Sequence, residues 1–155
     1  TAQTAMVAQF ADDRVLRTVA GLSSFSGPIG VVALPPGRCP EDPTPMRRLL
    51  VLSGVTDPGN VGTLLRTALG LGWDAAFLLA GHESPERKQQ SLHSWPNCAD
   101  PFGEKALRAA AGASFLLPII RGYPPTLRHV LKRHDMTLRV ADLVSGRAKI
   151  APPYH

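Results

Sequence analysis

Two short, continuous apolar runs, at residues 49–52 and 75–79, constrain the fold of this chain more than any other feature. A run of this length without alternation is typical of a strand that is covered on both faces of a parallel sheet. Between the two runs, apolar residues recur at helical spacing, and Gly70 and Gly72 mark the end of the helix. Strand, helix and strand in this order predict a right-handed βαβ unit.

The pattern continues after the second run. It predicts a helix over residues 101–111, a strand over 115–120, a helix over 126–134 and a fourth strand at 138–141. The sequence therefore predicts the α/β class with a parallel sheet. Residues 82–97 are polar and have no clear period, so we interpret them as an insertion.

A proline-rich stretch divides the chain, with five prolines among residues 35–45. Prolines at this density interrupt both helices and central strands. We interpret residues 36–47 as a linker, residues 1–35 as the tail of an N-terminal domain or an arm, and residues 48–155 as the main domain. Within the first segment, the apolar run at 29–34 predicts a buried strand.

Composition narrows the function only modestly. The formal net charge of the 155 residues is +5, which favours a polyanionic partner without identifying one. No apolar run approaches the roughly 20 residues of a membrane span. Cys39 and Cys98 form neither a CxxC pair nor a disulfide framework. The five histidines show no metal-ligand spacing. We expect an intracellular protein without a metal, in the cytoplasm or an organelle.

The segment from Asp57 to Ala68 is the candidate site, because it follows the first strand at the edge where open α/β sheets bind ligands. Gly59 and Gly62 would allow the backbone to approach a ligand, and the start of a helix near Asn60 suits phosphates. Arg66 lies off the apolar stripe. The same residues also fit a simple helix cap, a turn and a solvated charge. From the residues alone, both interpretations stay open.

Two ordered motifs resemble the SpoU (TrmH-type) RNA ribose methyltransferases. The first is D-P-G-N-V-G at residues 57–62, followed by R-T-A at 66–68 and G-W-D at 72–74. The second is C-A-D-P-F at residues 98–102, followed by Lys105 and Arg108 and by G-A at 112–113. The family usually has a serine two residues before that glycine, where this chain has Ala110.

The resemblance implies the α/β knot of the SPOUT class and methyl transfer from S-adenosylmethionine to a ribose 2′-OH of ribosomal or transfer RNA. Asn60 and Arg66 match the family's catalytic asparagine and arginine. Gly59, Gly62, Lys105 and Arg108 are then candidate RNA-binding residues, and a homodimer is expected. Residues 1–35 would be the tail of an N-terminal RNA-binding domain or an arm, and residues 48–155 a partial methyltransferase domain. Because arginine is almost always protonated, we expect Arg66 to hold a phosphate or stabilise an oxyanion rather than act as a base.

Two family motifs do not occur in this chain: the glycine-rich N-E-x-x-G segment and the S-x-N-V-type helix. In the family they build the knot, bind the methyl donor and form most of the dimer interface. We therefore expect a domain truncated before the knot that binds S-adenosylmethionine weakly or not at all. One alternative is an inactive homologue that acts as an RNA-binding or partner-binding module. Another is an unrelated Rossmann-like nucleotide binder.

Overall fold

A computed structural model describes residues 11–21, 23–24, 28–30, 32–80, 97–144 and 147–150 of the chain. It divides the chain into two compact units, residues 1–34 and 35–155. The predicted insertion at 82–97 lies outside the described residues except for Asn97, whose φ of 82° is in the left-handed region. Within the described ranges, no helix combines the length and hydropathy needed to cross a membrane.

The first unit contains one described helix, α1, at Asp13–Ala20. The side chain of Asp12 caps it by accepting a hydrogen bond from the backbone N–H of Arg14, and Gly21 ends it with a φ of 64°. The buried strand predicted at 29–34 is wrong for the residues described there. Ile29, Val32 and Leu34 are all exposed and belong to no strand. Prolines at 28, 35 and 36 flank this run, and proline disfavours sheet pairing.

The second unit is built on a three-stranded parallel sheet in the order β1-β2-β3. The strands are β1 at Leu49–Ser53, β2 at Ala75–Leu79 and β3 at Ile119–Gly122. Leu49 is in register with Ala75, and Ala76 with Ile119. The predicted α/β class and parallel sheet are therefore confirmed.

Helices cover both faces of this sheet. On one face lie α2 at Pro58–Gly70, α3 at Glu104–Ala110 and α4 at Ala113–Leu116, and on the other lies α5 at Pro124–Arg133. Successive strand residues alternate between the two cores. The sheet residues of the first core are Leu50, Leu52, Ala76, Leu78 and Ile119; those of the second are Leu49, Val51, Ala75, Phe77, Leu79 and Ile120.

The proline-rich stretch predicted as a linker belongs to the second unit and packs on it. The backbone N–H of Arg38 donates to the carbonyl of Ile119 at 3.0 Å, next to the edge strand β3. The guanidinium of Arg38 also forms an ion pair with Asp42 at 3.2 Å. Met46, at the end of the stretch, is buried in the core beneath α5.

Several predicted boundaries need correction. The strand predicted at 115–120 is wrong for its first half, because residues 113–116 form α4 and β3 begins only at Ile119. The helix predicted over 101–111 begins three residues later, and that predicted over 126–134 begins two residues earlier. The fourth strand predicted at 138–141 is instead β4 at Ala141–Val144. It pairs with β5 at Arg147–Ile150 in a separate antiparallel sheet.

Candidate functional site

The carboxyl ends of the three parallel strands lie at one edge of the sheet, which we call the rim. After β1, the chain turns at Gly54, whose φ of 72° favours glycine, and enters α2 through residues 55–57. The loop before α3 is tied to this turn, since the backbone N–H of Ala99 donates to the carbonyl of Val55 at 2.8 Å. The rim therefore brings together the two segments that carry the sequence motifs.

Asp57 caps the N-terminus of α2. Its Oδ1 accepts a hydrogen bond from the backbone N–H of Asn60 at 2.8 Å, and Pro58 occupies the first helical turn, where its missing N–H costs nothing. Asn60 itself is exposed in that turn, outside both cores. The cap thus fixes the backbone that presents the Asn60 side chain at the rim.

Lys105 binds the other oxygen of the same carboxylate. Its Nζ lies 2.8 Å from Oδ2 of Asp57 and joins the first turn of α3 to the first turn of α2. The hydrogen bond from Lys105, followed by that from the Asn60 backbone, lowers the pKa of Asp57 below its ordinary value. Lys105, predicted as an RNA contact, is therefore already paired within the protein.

Arg108, the second predicted RNA-binding cation, forms an ion pair with Glu104 one turn earlier on α3. Both side chains are largely exposed, so water screens this pair. The structure places Arg108 on the same helix as Lys105 but in no contact with Asp57.

Gly62 has a packing role that the sequence did not predict. It is buried, and a Cβ atom at this position would overlap the carbonyl oxygen of Ala106 and lie 2.8 Å from the Cβ of Ala109 and the nitrogen of Ala110. Glycine is needed here because α2 and α3 pack backbone to backbone. The Cα of Gly62 therefore faces α3, and an approach of Gly62 to RNA stays a prediction.

Gly59 is partly exposed in the first turn of α2. A Cβ atom here would lie 3.0 Å from Oδ1 of Asp57 and 3.6 Å from Cε of Lys105. The missing side chain leaves space for the carboxylate and for the lysine that crosses to it.

Arg66 is exposed on α2, about 9 Å along the helix axis from Asn60. It follows Gly59 by nearly two full turns, so it lies on the same side of the helix as the contact with Lys105. Helical side chains lean toward the N-terminus of their helix, and here that direction leads back to the rim. Asn60 and Arg66 are thus held on one rigid element, both accessible to a ligand.

Arg121, at the end of β3, is a rim residue that lies outside the two sequence motifs. Its guanidinium lies 5.8 Å from the ring centroid of Phe102, which contacts Phe115 in turn. Partial burial lowers the pKa of Arg121, and the charge of Asp100 opposes that effect. If the bounds of β3 had been predicted correctly, Arg121 would have been identified. Side chains alternate between the two faces of a strand, so Arg121 lies on the same face as Ile119, the face that carries α2 and α3. In the described part of the chain, no three His, Cys, Asp or Glu residues gather as metal ligands.

Comparison with known proteins identifies relatives of this chain. No protein family model matches the chain. An uncharacterized tRNA/rRNA methyltransferase of Synechocystis sp. is 38% identical over 113 residues, covering 70% of this chain and 35% of the relative. The 23S rRNA (guanosine(2553)-2′-O)-methyltransferase RlmP of Bacillus subtilis is 33% identical over 100 residues, covering 64% of this chain and 34% of the relative. Human mitochondrial rRNA methyltransferase 3 is 38% identical over 72 residues, covering 46% of this chain and 13% of the relative.

Solved structures show the same fold. An rRNA methyltransferase from Sinorhizobium meliloti matches with a TM-score of 0.53 and 22% identity, over 78% of this chain and 41% of that one. Its AdoMet-bound form matches with a TM-score of 0.52 and 22% identity, over 79% and 41%. The chain spans about a third of the length of the bacterial relatives that it matches. The chain is therefore similar to a segment of proteins that are named as tRNA/rRNA or rRNA methyltransferases.

Proposed function

We propose that this chain belongs to an RNA 2′-O-ribose methyltransferase and supplies the part of the site that receives the ribose. The observation that carries the proposal is the exposed Asn60 in the capped first turn of α2, with Arg66 exposed on the same helix. The specificity for the 2′-OH is supported by the name of the Bacillus subtilis relative.

The chemistry gives each of these residues a task. A ribose hydroxyl is a weak nucleophile, so it must be oriented and must lose its proton as it attacks a methyl group. The amide of Asn60 both donates and accepts hydrogen bonds, so it would orient the sugar. The guanidinium of Arg66 would hold the adjacent phosphate or stabilise the negative charge that develops on the hydroxyl oxygen.

S-adenosylmethionine is the donor that we propose, and it would supply the methyl group as an electrophile. The Sinorhizobium meliloti protein with AdoMet bound supports this choice. The described rim does not by itself fit the donor. The first-turn N–H of Asn60 is taken by Asp57, and the motifs to which the resemblance assigns donor binding do not occur in the chain. Asn60 and Arg66 therefore act on the RNA side of the reaction.

The proposed substrate is ribosomal RNA, with transfer RNA as the second choice. The names of the relatives include both RNA classes, and the net charge of +5 agrees with a polyanionic partner. The relatives come from bacteria and from mitochondria, which supports an intracellular setting without choosing a compartment. The homodimer that the resemblance implies is also a proposal, and light scattering on the purified chain would test it.

Transfer of a labelled methyl group tests this function. The 155-residue chain would be incubated with ribosomal or transfer RNA and tritium-labelled S-adenosylmethionine. The donor concentration should be millimolar, because we expect this chain to hold the donor weakly. We expect label in dinucleotides that resist alkaline hydrolysis, since a 2′-O-methyl group protects the neighbouring phosphodiester. Label in the mononucleotides that alkaline hydrolysis releases would contradict the 2′-O assignment. RNA binding without any transfer would favour the inactive RNA-binding module.

A further inference from the structure

The carboxylate of Asp57 is shared between two helices. Its Oδ1 accepts a hydrogen bond from the backbone N–H of Asn60 at 2.8 Å, and its Oδ2 accepts one from Nζ of Lys105 at 2.8 Å. The first contact is within α2, whereas the second reaches 48 residues along the chain to α3. One side chain therefore links the backbone of the proposed ribose-binding asparagine to a cation on a separate helix.

Two glycines make this link possible. At Gly59, a side chain would press on the Asp57 carboxylate and contact Cε of Lys105. At Gly62, one turn later, the absence of a side chain lets α2 and α3 pack with their backbones in contact. The close packing fixes the distance between the helices, so Lys105 starts from a defined point when it crosses to α2. We call Asp57, Gly59 and Lys105 together the clasp.

We propose that Lys105 is a positioning residue of the ribose site, which acts through Asp57 on Asn60 rather than through contact with RNA. This inference rests on the proposed function. The ammonium group fixes the rotamer of the Asp57 carboxylate, which in turn fixes the first-turn N–H of Asn60. Without Lys105, the carboxylate of Asp57 still caps the helix but adopts more orientations. The first turn of α2 then becomes less rigid, and the side chain of Asn60 also adopts more orientations.

The exposure of the pair makes this effect local. The side chains of Lys105 and Asp57 are 67% and 45% exposed, so solvent screens their attraction and the pair contributes little to overall stability. A loss of the clasp should therefore leave the free energy of unfolding almost unchanged, while it alters the orientation of Asn60. A general structural role predicts the opposite result.

The experiment compares Lys105→Met with Asp57→Asn and with the matched control Arg108→Met in the 155-residue chain. Asparagine caps a helix about as well as aspartate, so Asp57→Asn removes the ion pair and keeps the cap. Arg108 lies one turn beyond Lys105 and pairs with Glu104, so its variant removes a cation from the same helix without touching Asp57. The readout is the amide resonance of Asn60, followed by NMR as a function of pH.

In the unmodified chain, the Asn60 amide should titrate with Asp57 below the ordinary range of a carboxyl group. Lys105 is the charged group that the described elements bring to Asp57, so Lys105→Met should move this midpoint upward and Arg108→Met should not. Asp57→Asn should abolish the titration. Hydrogen exchange at Asn60 should become about two- to fivefold faster in Lys105→Met. An unchanged midpoint and unchanged exchange in Lys105→Met would overturn the proposal.

Activity and RNA affinity provide a second test. Lys105→Met should slow methyl transfer at saturating RNA by about tenfold or more, because small misplacements of reacting groups are costly, while the Kd for RNA stays nearly constant. A weaker Kd with an unchanged saturated rate would make Lys105 an RNA contact and overturn the proposal. Absence of transfer by the unmodified chain would count against the proposed function alone, since the NMR readout judges the clasp independently.

Discussion

At the scale of single residues, Gly62 sets how closely α2 and α3 approach. A methyl group at this position would overlap the backbone of Ala106 and crowd Ala109 and Ala110, and backbone atoms cannot move aside as a flexible side chain can. We expect Gly62→Ala to lower the free energy of unfolding by about 1–3 kcal/mol, the usual cost of overpacking. Urea unfolding followed by circular dichroism measures this change.

Gly70→Ala is the matched control, because Gly70 ends the same helix and a Cβ atom there meets nothing within 4 Å. Alanine is the better helix former, so this variant should be neutral or up to about 1 kcal/mol more stable. Equal stability of the two variants would show that the helices do not pack as closely as described.

Asp74 makes the stability of the chain sensitive to acid. Its Oδ2 accepts hydrogen bonds from the backbone N–H groups of Arg47 and Arg48, both at 2.8 Å, and these bonds lower its pKa. A carboxyl group with a depressed folded-state pKa stabilises the protein above its unfolded-state pKa, and this contribution is lost as the pH falls through the folded-state value. Asp74 therefore stabilises the fold at neutral pH, and this contribution begins to decline only below about pH 4, the ordinary pKa of an aspartate.

Substitution of Asp74 checks this assignment. Asp74→Ala should cost about 1 kcal/mol at pH 7, because the contact is near the surface, and the cost should decrease as the pH is lowered to 3. Thermal unfolding at the two pH values measures both numbers. The same loss at both pH values would contradict an effect that depends on the ionised carboxylate.

At the scale of elements, α4 is held to the loop before α3 by one buried hydrogen bond. The hydroxyl of Ser114 donates to the carbonyl of Pro101 at 2.8 Å. Ser114→Ala leaves that carbonyl without this donor and should lower the free energy of unfolding by about 1–2 kcal/mol. Ser53→Ala is the control, because Ser53 is exposed at the end of β1. Chemical unfolding that shows equal losses in the two variants would contradict the role of this bond.

The elements that the sequence predicted well are those in which several local signals agree. Three signals favour the same assignment for β1, α2 and β2. These signals are the spacing of the apolar residues, the Asp57 cap and the glycines at the end of α2. Residues 115–117 were predicted as a strand because a short apolar run does not distinguish a strand from a helix. Left-handed conformations at Ala111, with φ of 47°, and Gly112, with φ of 89°, turn the chain into α4 instead. Neither residue identifies this turn in the sequence.

The site was predictable to a similar degree. The cap at Asp57 and an accessible Asn60 followed from local rules for helix N-termini. The contact of Asp57 with Lys105 and the packing of Gly62 on α3 did not, because they join residues more than 40 positions apart. An isolated glycine in a helix suggests close backbone approach, but the sequence does not say whether a ligand or another helix approaches.

At the scale of the whole molecule, the described sheet and helices match about two fifths of an rRNA methyltransferase fold. The motifs assigned by resemblance to the donor do not occur in this chain. We therefore expect S-adenosylmethionine to bind more weakly than the low-micromolar range, so that transfer requires millimolar donor. Isothermal titration calorimetry on the 155-residue chain measures this affinity. Low-micromolar binding would contradict the assignment of donor binding to those other motifs.

Two exposed side chains of α2, those of Asn60 and Arg66, are proposed to act on the ribose, and the proposed function depends on them. The most direct test compares Arg66→Ala and Asn60→Ala with Arg128→Ala, which removes an exposed arginine from α5 on the opposite face of the sheet. For each variant, the rate of methyl transfer at saturating RNA and the Kd for the same RNA are measured. We predict that both α2 variants slow transfer by about 100-fold or more with little change in Kd, and that Arg128→Ala does neither. Transfer at the unmodified rate in Arg66→Ala and Asn60→Ala would contradict the role proposed for both residues.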